Sequence, residues 1–332
     1  TSEMKGETMP ADFYSVLEVA PRASQEVVEA AWKTLAKSLR SDLKAFQAIN
    51  EAHETLGDPV KRNAYDNQRK NDKVIGNYRI VKQLAEGGFG QTYLAEHVIS
   101  GSQVCIKHAH QVSAQDEAIL LEEAKAIWDL RHYGIPTIRD IIRLPDGSLA
   151  LVMSYIPGPT LAEYVEKHKK LEPWVVACIV DRAINALKYI HFHGIVHGDV
   201  KPQNIIIQPE IHGMVLVDYG LSAIRPKRGS LSKGYTPHFA PPEQISGSVL
   251  LPESDFYSLG VTMIYALGGS IDSRKVPSDT PDAMRHFIKK LLTHDILGRP
   301  NWQKENLSES FTKVRKESFG HATSNMKPFP KM

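Results

Sequence analysis

The chain has 332 residues, 42% of them hydrophobic and 23% charged, with Lys+Arg 40 against Asp+Glu 38 for a formal charge of +2. Such a length predicts about two domains, and the near-neutral balance gives no argument for nucleic acid or a membrane surface as a partner. The two cysteines, Cys105 and Cys178, sit in apolar runs and read as small core residues in a reducing compartment; the longest apolar stretch is too short to span a bilayer and no secretory signal is visible, so a cytoplasmic protein is expected.

Residues 1–10 are expected to be disordered or vector-derived. Residues 11–70 read as a separate helical unit. Val27, Val28, Ala31, Trp32 and Leu35 recur at helical spacing, as do Phe46, Ile49, His53 and Leu56. Ser24 is a candidate N-cap with Glu26 just inside, and Gly57-Asp58-Pro59 ends one helix and opens another. The run Asp12-Phe13-Tyr14-Ser15-Val16-Leu17, with Ile49-Asn50-Glu51-Ala52-His53 and Ala64-Tyr65-Asp66, resembles a J domain. Members of that family stimulate chaperone ATPases through a His-Pro-Asp tripeptide; its place here reads Arg40-Ser41-Asp42. The resemblance therefore implies a J-like fold without co-chaperone activity, able to bind a protein partner.

Residues 71–77 read as a polar linker. Alternation over Tyr78–Leu84, Gln91–His97 and Gln103–Lys107 predicts three antiparallel strands. A helix over Gln115–Leu130 follows, then strands Ile138–Arg143 and Ser148–Met153 joined by a Pro145-Asp146-Gly147 turn. Beyond Gly158 the pattern is mostly helical. The stretch 303–332 is polar and lysine-rich and is expected to be a loosely ordered tail.

The chemistry concentrates in His197-Gly198-Asp199-Val200-Lys201-Pro202-Gln203-Asn204, followed by Asp218-Tyr219-Gly220. Asp199 can accept a hydroxyl proton, Lys201 can offset charge on a transferred phosphoryl group, and Asn204 with Asp218 can hold Mg²⁺. Each part is weak alone; the two in order, each beside an apolar strand-like run, form a strong signal. Upstream, Gly87 and Gly90 lie in a turn where backbone amides can approach phosphates. Lys107 ends an apolar strand and is costly to bury without anions. The spacing of His191, His193 and His197 matches no common metal site.

Together these motifs resemble the eukaryotic-type Ser/Thr protein kinase domain over Tyr78–Trp302, and Glu86-Gly87-Gly88-Phe89-Gly90-Gln91-Thr92-Tyr93-Leu94-Ala95 looks like its bacterial branch. The resemblance implies an α+β, two-lobed fold, with an antiparallel-sheet N-lobe over 78–153, a hinge at 154–157 and a helical C-lobe over 158–302, preceded by the small all-α unit. It implies ATP with Mg²⁺ or Mn²⁺ and a protein substrate. Catalytic roles fall to Asp199, Lys201, Lys107, Glu123 and Thr236, with Glu122 the other candidate partner for Lys107. Nucleotide contacts fall to Ala85, Gly87, Gly90, Thr92, Lys107, Met153, Ser154 and Ile156, and metal ligation to Asn204 and Asp218. Glu243 is expected to pair with Arg299, and Asp255 to bond the catalytic-loop backbone.

Two departures stand out. Gly198 replaces the arginine that receives an activation-loop phosphate in the family, so activity independent of that phosphate is expected. Ser270–Thr280 is too short for the family's extra docking helix. Two other functions remain open: a nucleotide-binding pseudokinase scaffold, favoured by the altered J-like unit and the short lobe, and a small-molecule kinase, favoured by the His-Gly-Asp spelling.

Overall fold

The computed structural model describes residues 13–21, 23–40, 42–71, 74–87, 90–108, 114–144, 147–322 and 329–331. The chain divides into two compact units, residues 1–79 and 80–332. The expectations for 1–10 fall outside the described residues.

The first unit is helical: α1 (Phe13–Val16), α2 (Gln25–Ser38), α3 (Leu43–Leu56) and α4 (Pro59–Asn71). Ser24 caps α2, its side chain accepting from Val27 N. Asp42 caps α3 by accepting from Lys44 N and Ala45 N, each at 3.1 Å. Asp58 does the same for α4, accepting from Val60 N at 2.8 Å. Each cap satisfies amides that a helix start leaves unpaired. A small core forms from Tyr14, Leu17, Val28, Ile49, Ala52 and Leu56. The two ends of the unit are tied together: Tyr14 donates to Asp66 at 2.8 Å, Arg62 donates to Tyr14 at 2.9 Å, and Phe13 stacks on Tyr65 at 4.7 Å. The stretch 71–77, expected to be a polar linker, contains a two-residue strand β1 (Val74–Ile75) that folds back on Tyr78 and Arg79.

The second unit has the expected two lobes. Its sheet is built from β2 (Tyr78–Gly87), β3 (Gly90–His97), β4 (Gln103–His108), β5 (Ile138–Arg143) and β6 (Leu149–Ser154), in the order β2-β3-β4-β6-β5. Helix α5 (Ala114–Ile127) lies between β4 and β5 in sequence. The predicted Pro145–Gly147 turn closes through Leu144 N to Ser148 O at 2.8 Å; Pro145 and Asp146 lie outside the described residues.

The other lobe holds α6 (Leu161–His168), α7 (Pro173–Phe192), β7 (Ile195–Val196), β8 (Ile205–Gln208), β9 (Gly213–Leu216), β10 (Ala223–Ile224), α8 (Pro242–Ile245), α9 (Pro252–Ala266), α10 (Asp282–Leu291) and α11 (Leu307–Phe319). Helices α7 and α9 are apolar nearly all round and form the centre of the core, as such helices must. Gly260 lets α9 approach closely: a Cβ there would stand 3.1 Å from Leu291 Cβ.

One expectation is corrected here. The stretch 303–332 is not a loosely ordered tail among its described residues. Leu307 and Phe311 are buried, Val314 packs beside them, and Phe311 meets Phe287 of α10 at 4.8 Å. The helical spacing 307, 311, 314 is present in the sequence, diluted by lysines and serines on the solvent side. Further on, Phe329 is 3% exposed, lodged against Trp174 and His212, and Tyr164 donates its hydroxyl hydrogen to Pro330 O.

Candidate active site

Between the sheet and the helical lobe lies a cavity of about 490 Å³. Its walls include Ala85 from β2, Thr92 from β3, Cys105 and Lys107 from β4, Glu123 from α5, and Met153, Ser154 and Ile156 at the end of β6. Val217, Asp218 and Asn204 close the far side. Strand alternation explains the first group: Cys105 and Lys107 are two apart on β4 and share a face, and Cys105 lies opposite Met153 across the β4–β6 ladder. Ser154 N is already bonded to Thr137 O at 2.8 Å, which fixes the chain as it leaves the sheet.

Lys107 reaches across the lobes. Its Nζ donates to Glu123 Oε2 at 2.7 Å and to Asp218 Oδ1 at 2.8 Å. Burial alone would lower the Lys107 ammonium, but the two carboxylates outweigh it and raise its pKa above the ordinary value. Burial would raise the Asp218 carboxyl; Lys107 more than offsets this and holds it below its usual value. Glu123 is raised by burial, with Lys107 opposing. Glu123 Oε1 also accepts from Tyr219 N at 3.2 Å, so one carboxylate grips both Lys107 and the residue after Asp218. Glu122, the other candidate, turns to a different partner: its Oε2 is 2.5 Å from Lys233 Nζ. One residue along a helix is about 100° of rotation, which separates the two roles.

The β8–β9 hairpin brings Asn204 and Asp218 to the same wall. Ile205 lies opposite Leu216, so Asn204 O accepts from Val217 N at 2.9 Å and Asp218 follows directly. Asn204 Nδ2 donates to Asp199 O and to Asp199 Oδ2, both at 2.9 Å. Among the described residues no cluster of three or more His, Cys, Asp or Glu could hold a metal by itself. A carboxylate and an amide beside one cavity suit a hard divalent cation that takes its other ligands from phosphate and water.

Asp199 is 8% exposed. Thr236 Oγ1 donates to its Oδ1 at 2.6 Å, and Lys201 Nζ sits 2.8 Å from its Oδ2 and 2.8 Å from Thr236 Oγ1. The backbone behind it is held by Asp255, which accepts from His197 N and from Gly198 N at 2.8 Å each. Asp255 also accepts from His191 Nε2 at 2.7 Å, and Trp302 Nε1 donates to His191 Nδ1 at 2.9 Å. The His197 ring stacks edge-on with Tyr219 and faces Val217 O, and burial lowers its pKa. Arg299 forks onto Glu243 at 2.7 and 3.0 Å.

Gly87 ends β2 and Gly90 opens β3; Gly90 is not among the residues that line the cavity, and Gly88 and Phe89 lie outside the described residues. The structure brings the other predicted residues together around the cavity and the Asp199 carboxylate. Sequence reasoning missed Cys105, Val217, Thr160 and Glu163 as cavity residues. Alternation from Lys107 could have found Cys105. Thr160 and Glu163 form a capping box at the start of α6, a signal visible in the sequence but silent about which cavity it faces.

Residues 78–313 match the family described as protein kinase domain, and residues 12–66 match the DnaJ domain. A carbon catabolite-derepressing protein kinase of Candida glabrata is 32% identical over 210 residues, covering 62% of this chain and 33% of that protein. The serine/threonine-protein kinase PrkC of Bacillus subtilis is 30% identical over 226 residues, covering 66% and 34%. The SNF1-related protein kinase catalytic subunit alpha KIN12 of Arabidopsis thaliana is 28% identical over 243 residues, covering 68% and 49%. The chain thus spans between a third and a half of the length of these relatives. With the match running through both lobes and around the cavity between them, the chain belongs to the protein kinase domain family and carries a DnaJ domain ahead of it.

Proposed function

We propose that this chain is an ATP-dependent protein kinase that moves the γ-phosphoryl group of ATP onto Ser or Thr hydroxyls of a protein substrate. The observation that carries this is the Asp199 carboxylate, which accepts from Thr236, Lys201 and Asn204 together. In this reading Asp199 orients the acceptor hydroxyl and takes its proton as the new O–P bond forms and the bond to the β-phosphate breaks. A carboxylate is a weak base, so positioning contributes most. Lys201 offsets charge on the transferred group. Lys107, steadied by Glu123, holds the α- and β-phosphates. Asp218 and Asn204 would hold Mg²⁺ or Mn²⁺, which would neutralise phosphate charge when bound. Thr236 beside Asp199 favours an aliphatic hydroxyl over a phenol.

The test is intact-mass and peptide mapping after incubation with Mg·ATP and a generic basic protein, with Asp199→Asn as control. Phosphate on Ser or Thr that disappears in the variant is expected. Nucleotide binding without any transfer would instead favour a scaffold.

We propose further that the J-like unit binds a protein partner without stimulating a chaperone ATPase, and that the protein works in a reducing cytoplasm. Two features support the first part. Arg40-Ser41-Asp42 lacks the imidazole and the proline of the functional tripeptide. The Asp42 carboxylate is taken up in capping α3. Adding the full chain to a heat-shock chaperone should leave ATP turnover unchanged; a rise would overturn this. Both cysteines are free, which suits the second part.

A further inference from the structure

Two side chains outside the cavity tie the segment after Asp218 into place, and neither uses a phosphate. The first is Gln244 of α8, 2% exposed. Its amide nitrogen donates to Gly198 O at 2.7 Å and to Gly234 O at 2.8 Å. Gly198 directly precedes Asp199, and Gly234 lies two residues before Thr236, which donates to Asp199. One buried NH₂ group therefore clamps both peptide stretches that aim the Asp199 carboxylate. The amide orientation is set by its surroundings, because its oxygen turned toward the same two carbonyls would meet only acceptors. Ser232 Oγ adds a bond to Gln244 O at 3.3 Å.

The second tie is Lys233 to Glu122 on α5, at 2.5 Å. Glu122 adjoins Glu123, the residue that holds Lys107. Both partners are partly exposed, with side chains 31% and 50% accessible, so this tie is salt-screened and the weaker of the two.

We propose that Gln244 is a positioning residue that joins the catalytic loop to the activation segment in the unphosphorylated protein, with Lys233–Glu122 passing the order of that segment on to α5. This rests on the kinase reading above. The clamp takes over the work that an arginine at position 198 and a loop phosphate would do. It also explains why such an arginine is not needed.

The test uses the full-length, phosphatase-treated protein and the variants Gln244→Glu and Gln244→Met, which keep the length and lose the paired donors. Amide hydrogen exchange reads the clamp directly, and steady-state transfer with Mg·ATP reads its consequence. Faster exchange over residues 196–199 and 230–238 is expected, with α9 unchanged as a control for folding. A fall in kcat of about tenfold or more with KM for ATP held within about threefold is expected from misplaced reacting groups. Phosphatase treatment of the wild type should leave kcat unaltered. For the second tie, Lys233→Glu and Glu122→Lys should each lower kcat and their combination should restore it. Unchanged exchange over 230–238 in both Gln244 variants, or a wild type silenced by phosphatase, overturns the clamp; a charge swap without rescue overturns the link to α5. A clamp that responds as described in a wild type that transfers nothing would leave the clamp standing and refute the kinase reading instead.

Discussion

A Cβ at position 198 would stand 2.8 Å from the carbonyl oxygen of Leu221, and Gly198 holds φ at +75°. Glycine at this point is thus a requirement of the backbone as well as the loss of a basic side chain. Leu250 Cδ1 at 3.0 Å narrows the space further.

Restoring a side chain there should therefore harm the fold. Gly198→Ala is expected to cost at least about 1–2 kcal/mol from the left-handed backbone alone, and more if Leu221 must move. Gly198→Arg should lower the unfolding midpoint further and should not create a phosphate-dependent enzyme. Thermal unfolding of the full chain checks this; a midpoint equal to wild type in Gly198→Ala would contradict it.

Thr236 and Asp199 are 37 residues apart and joined at 2.6 Å. Thr236→Ala removes the hydroxyl that aims Asp199 and ties it to Lys201, and should lower kcat by about 10–100-fold, the scale of a misplaced catalytic group. Thr236→Ser keeps the hydroxyl and should retain most of the activity. Equal losses in both variants would mean that the methyl group, not the hydroxyl, matters.

The Glu243–Arg299 pair is nearly dry, with side chains 12% and 0% exposed. Removing one partner strands the other charge, so Arg299→Ala should destabilise by about 3–5 kcal/mol. The Lys290–Glu305 pair is 49% and 23% exposed. Lys290→Ala should cost no more than about 1 kcal/mol and lose its effect at high salt. Denaturant titrations at two ionic strengths separate the two cases.

Tyr219 is fully buried, and its hydroxyl has no hydrogen-bond partner among the described residues. Tyr219→Phe removes a buried donor left unpaired among the described residues and should stabilise the protein by about 1–3 kcal/mol. A lower unfolding midpoint in the variant would show that the hydroxyl has a role this structure does not account for.

His197 gives a pH dependence with a definite sign. Burial pushes its folded pKa below the ordinary 6.5. Above 6.5 neither folded nor unfolded His197 carries the proton, and its contribution is at its maximum. As pH falls below 6.5 the unfolded chain binds a proton that the folded one refuses, so stability declines toward the folded pKa. Unfolding free energies from pH 7.5 to 5.5 should fall for the wild type and fall less steeply for His197→Gln.

What the sequence determined by itself was carried by short range and by strong periodicity. Asp199, Lys201 and Asn204 lie within one loop, and the cap Ser24 sits next to the amide it satisfies. Strand alternation sufficed to put Lys107 at the end of β4. The α+β, two-lobed architecture and the helical unit ahead of it were legible because apolar spacing reports which face each element must bury.

The tertiary structure alone decided which of several equivalent groups pairs with which. Glu122 and Glu123 are the same residue type on one helix, and only the docking angle of α5 turns one to Lys107 and the other to Lys233. Gln244 looked like any polar residue after a glutamate until folding brought Gly198 O and Gly234 O to its amide. Helix α11 and the lodged Phe329 were hidden because their few apolar residues acquire meaning only against α7, α10 and Trp174. Sequence spacing constrains neighbours along the chain. Contacts across 37 or 46 residues are chosen by packing, which no local pattern records.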